Sequence, residues 1–143
     1  MGEYNHSLDA KGRTIVPAKL REELGETFVI TRGLDGCLYG YSDKEWEKFE
    51  EKLKNLPLNN KAARTTIRYF LAGATQCEVD KQGRILIPAN LREAGGFEKD
   101  IVFIGAANKI EIWSKERWDE CNRDYQENMG EVIEHMEDLG FDL

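Results

Sequence analysis

The chain is poor in the residues that build reactive centres. Its 143 residues include two histidines and three cysteines. His6 and His135 are too few for a histidine-rich metal centre. Cys37, Cys77 and Cys121 are odd in number, far apart and never in a C-x-x-C pair, so neither a disulfide framework nor a zinc site is expected. They read as reduced, small apolar residues, and no metal or cofactor is implied. Phosphate-loop, nucleophile-elbow and zinc-protease patterns (G-x-x-x-x-G-K-[ST], G-x-S-x-G, H-E-x-x-H) are all missing. An enzyme with a small-molecule substrate therefore has little in the sequence to rest on. No apolar run approaches the ~20 residues of a membrane helix. The opening MGEYNHSLDAKGR lacks the apolar core of a signal peptide. The expectation is a soluble, cytoplasmic protein with no membrane partner.

Proline is also scarce, and two of the three prolines occupy matching places. Sliding the sequence on itself by 71 positions pairs Asp9 with Asp80, Gly12 with Gly83, Arg13 with Arg84 and Pro17 with Pro88. Leu20/Leu91, Arg21/Arg92 and Glu22/Glu93 continue the register. With one extra residue it resumes at Gly33/Gly105, Leu38/Ile110, Tyr41/Trp113 and Ser42/Ser114. A unit of about 50 residues is thus present twice.

Each copy reads alike. Tyr4 to Leu8 and Thr75 to Val79 alternate with the period of a half-buried strand. D-A-K-G-R and D-K-Q-G-R then make hairpin turns, where Asp accepts backbone hydrogen bonds and Gly supplies a positive φ. The second strands, Arg13 to Val16 and Arg84 to Ile87, end at proline, which forces extension before it and suits the first position of a helix. The helices PAKLREEL and PANLREA are expected to stop at Gly25 and Gly95. Strands FVITR and IVFIG follow, then turns at Asp35-Gly36 and Ala107-Asn108, then CLYGY and KIEIW. Ser42 and Ser114 open helices. Lys61 to Leu71 is a linking helix. From Trp118 through Tyr125, Met129, Val132, Ile133 and Met136 an apolar stripe runs at helical spacing, expected to pack on the body or on a neighbouring chain. Such a unit cannot bury enough apolar surface alone, so the copies should pack about a pseudo-twofold axis.

Charge is unevenly distributed. The net charge of -7 conceals eleven acidic against three basic residues from Glu111 onward. The first 110 residues are close to neutral, with seventeen basic and sixteen acidic side chains. Fields act locally, so an acidic total is compatible with a basic patch facing a polyanion.

EYNHSLDAKGRTIVPAKLRE, FVITRGLDGCLYGYS and CEVDKQGRILIPANLRE resemble the MraZ family of bacterial transcriptional regulators, with two AbrB-like (SpoVT-AbrB) units in tandem. The resemblance spans almost the whole chain and includes the doubled D-x-x-x-R motif, Asp9 to Arg13 and Asp80 to Arg84. It implies a mainly β, α+β fold: a double-split, swapped-hairpin β-barrel made of the two units, plus a C-terminal helix. The expected division is 2–54 for the first unit with its trailing helix, 55–72 for the linker helix, 73–118 for the second unit and 119–143 for the acidic C-terminal helix and tail. The resemblance also implies a homo-oligomeric ring, nucleoid association, and binding of double-stranded DNA at promoter repeats upstream of cell-division and cell-wall genes. An AbrB-like, antitoxin-like protein-interaction module without its own operator is the alternative.

Arginine at a hairpin base offers a planar set of donors for phosphate or for the O6/N7 edge of guanine, and lysine adds a mobile charge. The candidate DNA-binding set is Arg13, Arg84, Lys11, Asp9, Asp80 and Lys81. Gly12, Gly83, Pro17 and Pro88 are the structural turn residues. Asp9 and Asp80 serve equally well to form the turn or pair the arginines. Lys19, Arg21 and Arg92 read as solvated helix charges first, and the line of Lys61, Arg64 and Arg68 as a solvated face. Lys11 stands opposite Gln82 in the repeat, so the two copies need not bind equally.

Overall fold

The computed structural model describes residues 1–143. In chain order its elements are β1 (Gly2–Ser7), β2 (Arg13–Ile15), α1 (Ala18–Leu24), β3 (Thr27–Arg32), β4 (Leu38–Ser42), α2 (Asp43–Lys54), α3 (Lys61–Ala72), β5 (Thr75–Glu78), β6 (Arg84–Leu86), α4 (Ala89–Gly95), β7 (Asp100–Ala106), β8 (Lys109–Ser114) and α5 (Lys115–Asp138). The fold is α+β, and every strand pair is antiparallel.

Six strands form one sheet in the order β1-β7-β8-β4-β3-β5, and β2 pairs with β6 as a separate ribbon. The ladder of the large sheet does not close on itself: β1 and β5 are its edges. The two copies interlock. The first strand of each unit pairs with the third strand of the other, β1 on β7 and β5 on β3. The Leu8 N–H extends one pairing by donating to Lys99 O, and the Val79 N–H extends the other by donating to Glu26 O, each at 2.8 Å. A pseudo-twofold axis passes where Tyr39 faces Glu111, with Leu38 opposite Ile112 and Gly40 opposite Ile110. Gly40 is needed there, because a Cβ would come within 2.6 Å of Ile110 Cγ1.

The core is shared in the same way. Val16 and Leu20 from one copy and Ile87 and Leu91 from the other are at most 1% exposed and lie in a single cluster of 15 residues. Each such side chain contributes roughly 1.5–3 kcal/mol by leaving water. Separating the units would expose this cluster and the inner strand edges together.

Local chemistry explains the element ends. Pro17 and Pro88 hold φ at -51° and -58° and cap α1 and α4 one residue before the first helical position. Their carbonyls accept the first helical N–H bonds, from Leu20 and Arg21 and from Leu91 and Arg92. α1 ends at Gly25 as expected, but α4 includes Gly95, and its left-handed cap is Gly96 (φ 64°, ψ 31°). A second correction concerns repeat register. Arg32 pairs with Leu38 just as Gly105 pairs with Ile110, so Gly105 corresponds to Arg32 and not to Gly33. The cause is the longer β3–β4 connection, residues 33–37, against the two-residue Ala107-Asn108 turn.

The helices after the fourth strands differ. Ser42 Oγ accepts from the Glu45 N–H at 3.2 Å to open α2, and Asn60 Oδ1 accepts from the Ala63 N–H at 3.1 Å to open α3. α3 then folds back over α2 and β3. Phe70 meets Phe49 edge to face at 5.1 Å, and the Thr31 hydroxyl donates to Phe70 O at 2.6 Å. In the second copy Trp118 and Cys121 of α5 pack on the small cluster of Cys37, Val102 and Trp113. The rest of α5 is uncovered, and Tyr125, Met129 and Val132 are exposed. No helix is long and apolar enough to cross a membrane.

Candidate nucleic-acid interface

The two D-x-x-x-R turns have nearly identical geometry. Asp9 Oδ1 accepts the backbone N–H groups of Lys11 and Arg13, both at 2.9 Å, and Oδ2 accepts Arg13 Nε–H at 2.8 Å. Asp80 accepts from Gln82 N–H at 2.9 Å, Arg84 N–H at 2.8 Å and Arg84 Nε–H at 2.9 Å. One carboxylate thus fixes both the turn and the arginine that follows it. Only Nε is used, so both Nη groups of each guanidinium keep their donors for another partner. The N–H of Arg13 is the main influence holding Asp9 below the usual carboxylate pKa, with its guanidinium and the Lys11 N–H adding to it. Arg84 and Gln82 act on Asp80 in the same way.

Gly12 and Gly83 adopt φ of 86° and 79°. Their carbonyls tie the turns together across the axis, Gly12 O accepting from Ile87 N–H and Gly83 O from Val16 N–H, each at 2.9 Å. Because β2 and β6 pair with Thr14 opposite Ile85, Arg13 faces Leu86 and Arg84 faces Ile15. The motif arginines therefore occupy one two-stranded ribbon, and directly opposed residues share a face.

Lys11 and Lys81 are exposed on the turns. They hold different positions: Lys11 is the third residue of its turn and Lys81 the second, where the first copy has Ala10. Two further arginines reach the turns from the opposite unit. The guanidinium of Arg92, on α4, sits where a side chain on Gly12 would go, and that of Arg21, on α1, does the same at Gly83. Nε of Arg21 is buried without a hydrogen-bond partner. In sequence these two have the look of solvated helix charges, and only their identical place in the repeat sets them apart. In the linker helix, Arg64 donates to Leu58 O at 2.9 Å while Lys61 and Arg68 stay exposed. α5 packs against β7 and β8, whereas the ribbon contacts β1 and β5. The acidic helix and the motif thus rest on different strands.

Catalytic chemistry finds little here. Burial pushes the thiols of Cys37 and Cys77 up to about 12, so neither supplies a thiolate near neutrality. No group of three His, Cys, Asp or Glu side chains is arranged to hold a metal ion.

The chain matches the family model described as "MraZ protein, putative antitoxin-like" twice, over residues 1–69 and 70–138. It is 62% identical over 140 residues to the "Transcriptional regulator MraZ" of Lachnoclostridium phytofermentans, covering 98% of this chain and 96% of that one. It is 59% identical over 139 residues to the protein of the same name in Thermoanaerobacter sp. (strain X514), covering 97% of each. Identity to the protein of that name in Caldicellulosiruptor bescii is 54% over 140 residues, 98% of each. With two family units in tandem and relatives matching end to end, the chain belongs to the MraZ family, a family of transcriptional regulators and not of enzymes.

Proposed function

We propose that this protein is a DNA-binding transcriptional regulator that grips double-stranded promoter repeats upstream of cell-division and cell-wall genes through its paired D-x-x-x-R hairpins. The observation that carries this reading is the doubled turn in which Asp9 and Asp80 hold Arg13 and Arg84 by Nε alone. A carboxylate that merely neutralised its arginine would leave a turn with little to offer a polyanion. Here each aspartate accepts from two backbone N–H groups and one guanidinium nitrogen, while the remaining donors of both arginines lie on a two-stranded ribbon, an element that the major groove admits. Lys11 and Lys81 add phosphate contacts, and a basic patch can face a polyanion even on a chain that is acidic overall.

The two sheets together are read as one split, swapped-hairpin barrel made of units 2–54 and 73–118, with 55–72 as linker and 119–143 as an acidic arm. Repeated hairpins favour DNA with matching repeats, because a second contact tethered at fixed distance raises avidity. A homo-oligomeric ring would multiply that effect. The uncovered apolar side chains of Tyr125, Met129 and Val132 support contact with another copy. They also favour the second reading, an antitoxin-like interaction module that uses this helix on another protein. The protein acts in the cytoplasm, at the nucleoid.

The test is fluorescence anisotropy on a labelled duplex from the region upstream of the gene. The regulator reading expects log K to fall linearly with log salt and unrelated duplex to compete poorly. Equal competition by unrelated duplex or by heparin would leave the interaction-module reading in its place. Light scattering of the free protein expects a multiple of the chain mass, and a monomeric mass would remove the ring.

A further inference from the structure

The ribbon that carries the motif arginines also carries two apolar side chains in the wrong place for a soluble protein. Ile15 is 45% exposed and Leu86 is 56% exposed, while their strand neighbours Thr14 and Ile85 are 2% and 1% exposed. In β2 the hydroxyl residue is therefore inside and the branched aliphatic residue outside, the reverse of what water asks for. Single exposed apolar residues are ordinary. These two are not scattered: they are equivalent positions of the two copies, and antiparallel register sets Ile15 opposite Arg84 and Leu86 opposite Arg13. One face of the ribbon is a checkerboard of two cations and two aliphatic groups, with directly opposed Cβ atoms ~4.5–5.5 Å apart and diagonal neighbours within roughly 7–8 Å.

We propose that Ile15 and Leu86 are specificity residues of the interface, each packing on the C5-methyl group of a thymine in the major groove while Arg13 and Arg84 engage phosphate or guanine beside it. The inference rests on the DNA-binding reading above. In the major groove thymine alone presents a methyl group, and an aliphatic side chain is the natural partner for it. The separation of the four side chains is of the order of two base steps, so cation and aliphatic contacts fall on neighbouring bases. A ribbon meant only for phosphate would gain nothing from aliphatic residues there, and lysine or threonine would suit solvent better.

The experiment uses the full chain and a fragment from upstream of the gene, amplified once with thymidine and once with deoxyuridine triphosphate, which deletes every C5-methyl and no hydrogen-bonding group. Burial of one methyl is worth about fourfold in affinity. The wild type is expected to bind the uracil fragment about fifteenfold more weakly, two methyl groups being lost at one ribbon. The variant carrying Ile15→Ala and Leu86→Ala is expected to bind the thymine fragment more weakly and to distinguish the two fragments by less than about twofold. Equal affinity of the wild type for both fragments overturns the assignment and depends on no variant folding. So does an undiminished thymine preference in the variant. Absence of any salt-sensitive binding to the thymine fragment is a different result: it removes the DNA-binding reading and this inference with it.

Discussion

The two copies of the unit agree closely at their hairpins and part company after their fourth strands. At the turns, hydrogen bonds to Asp9 and Asp80 match within 0.1 Å, with the same atoms in the same roles. After β4, α2 is roofed by α3, with Tyr41 stacked on Phe49 at 5.1 Å and Phe49 against Phe70. After β8, the first turns of α5 are held by Trp113 against Trp118 at 5.5 Å, by Cys121 on the small cluster and by Arg117 donating to Gly36 O at 2.7 Å, while Tyr125 and the residues beyond it have no roof. The hairpins repeat the same Asp, Gly and Arg at the same offsets, and the same local chemistry gives both the same geometry. The helices answer to different surroundings: one closes the chain's own core and the other is left to face outward.

Removing the roof is expected to have the largest effect. Phe70→Ala should cost about 3–5 kcal/mol, since the ring is 8% exposed and leaves a cavity against Phe49. Tyr125→Ala on the unroofed part of α5 should change stability of the isolated chain by less than about 0.5 kcal/mol. Denaturant unfolding of both variants checks the contrast, and similar losses would mean that α5 is as well covered as α2. Next come the turns. Gly12→Ala and Gly83→Ala force a side chain into positive φ and against Arg92 or Arg21, for an expected loss of about 1–3 kcal/mol each. Thermal melts should show the two losses equal within error, and a marked inequality would break the symmetry of the turns.

Smaller still is the titration of the motif carboxylates. Both folded pKa values lie below the ordinary value of 3.8. Their contribution is therefore complete above that value and is lost as pH falls through the lower, folded pKa. Carboxyl NMR titration should place both midpoints below 3.8, and binding should be indifferent to pH between about 5 and 7 as far as these groups are concerned. A midpoint above 3.8 for one copy alone would show that its arginine is held differently. The least perturbing test is chemical: at pH 8 a maleimide should label Cys121 and spare the buried Cys37 and Cys77.

The turns were legible in the sequence because their chemistry is local. Asp, Gly and Pro at fixed offsets dictate φ, hydrogen bonding and the strand-to-helix switch without reference to the rest of the chain. What the sequence did not display is which strand each strand meets. That β1 joins β7 and β5 joins β3 depends on packing about the axis, and the repeat announces the axis but not the exchange. The inside-out pair Thr14 and Ile15 was hidden for the same reason: burial in β2 is set by register against β6, and the side-chain types alone point the other way. Arg21 and Arg92 looked like helix charges because the turns they cover lie 62 and 80 residues away in sequence. The apolar stripe of α5 was readable, but not that its cover ends at Cys121.

The most direct measurement compares wild type with Arg13→Ala, Arg84→Ala and the double variant for affinity to the upstream duplex, alongside thermal melts. Each arginine contact is worth ~1–3 kcal/mol, and the pairs with Asp are solvent-exposed, so losing them should leave stability nearly unchanged. The expected result is a stepwise loss reaching at least about thirtyfold in the double variant, with a shallower salt slope and a nearly unchanged melting temperature. A double variant that binds as tightly as wild type would contradict the assignment of the paired hairpins as the DNA-contacting surface.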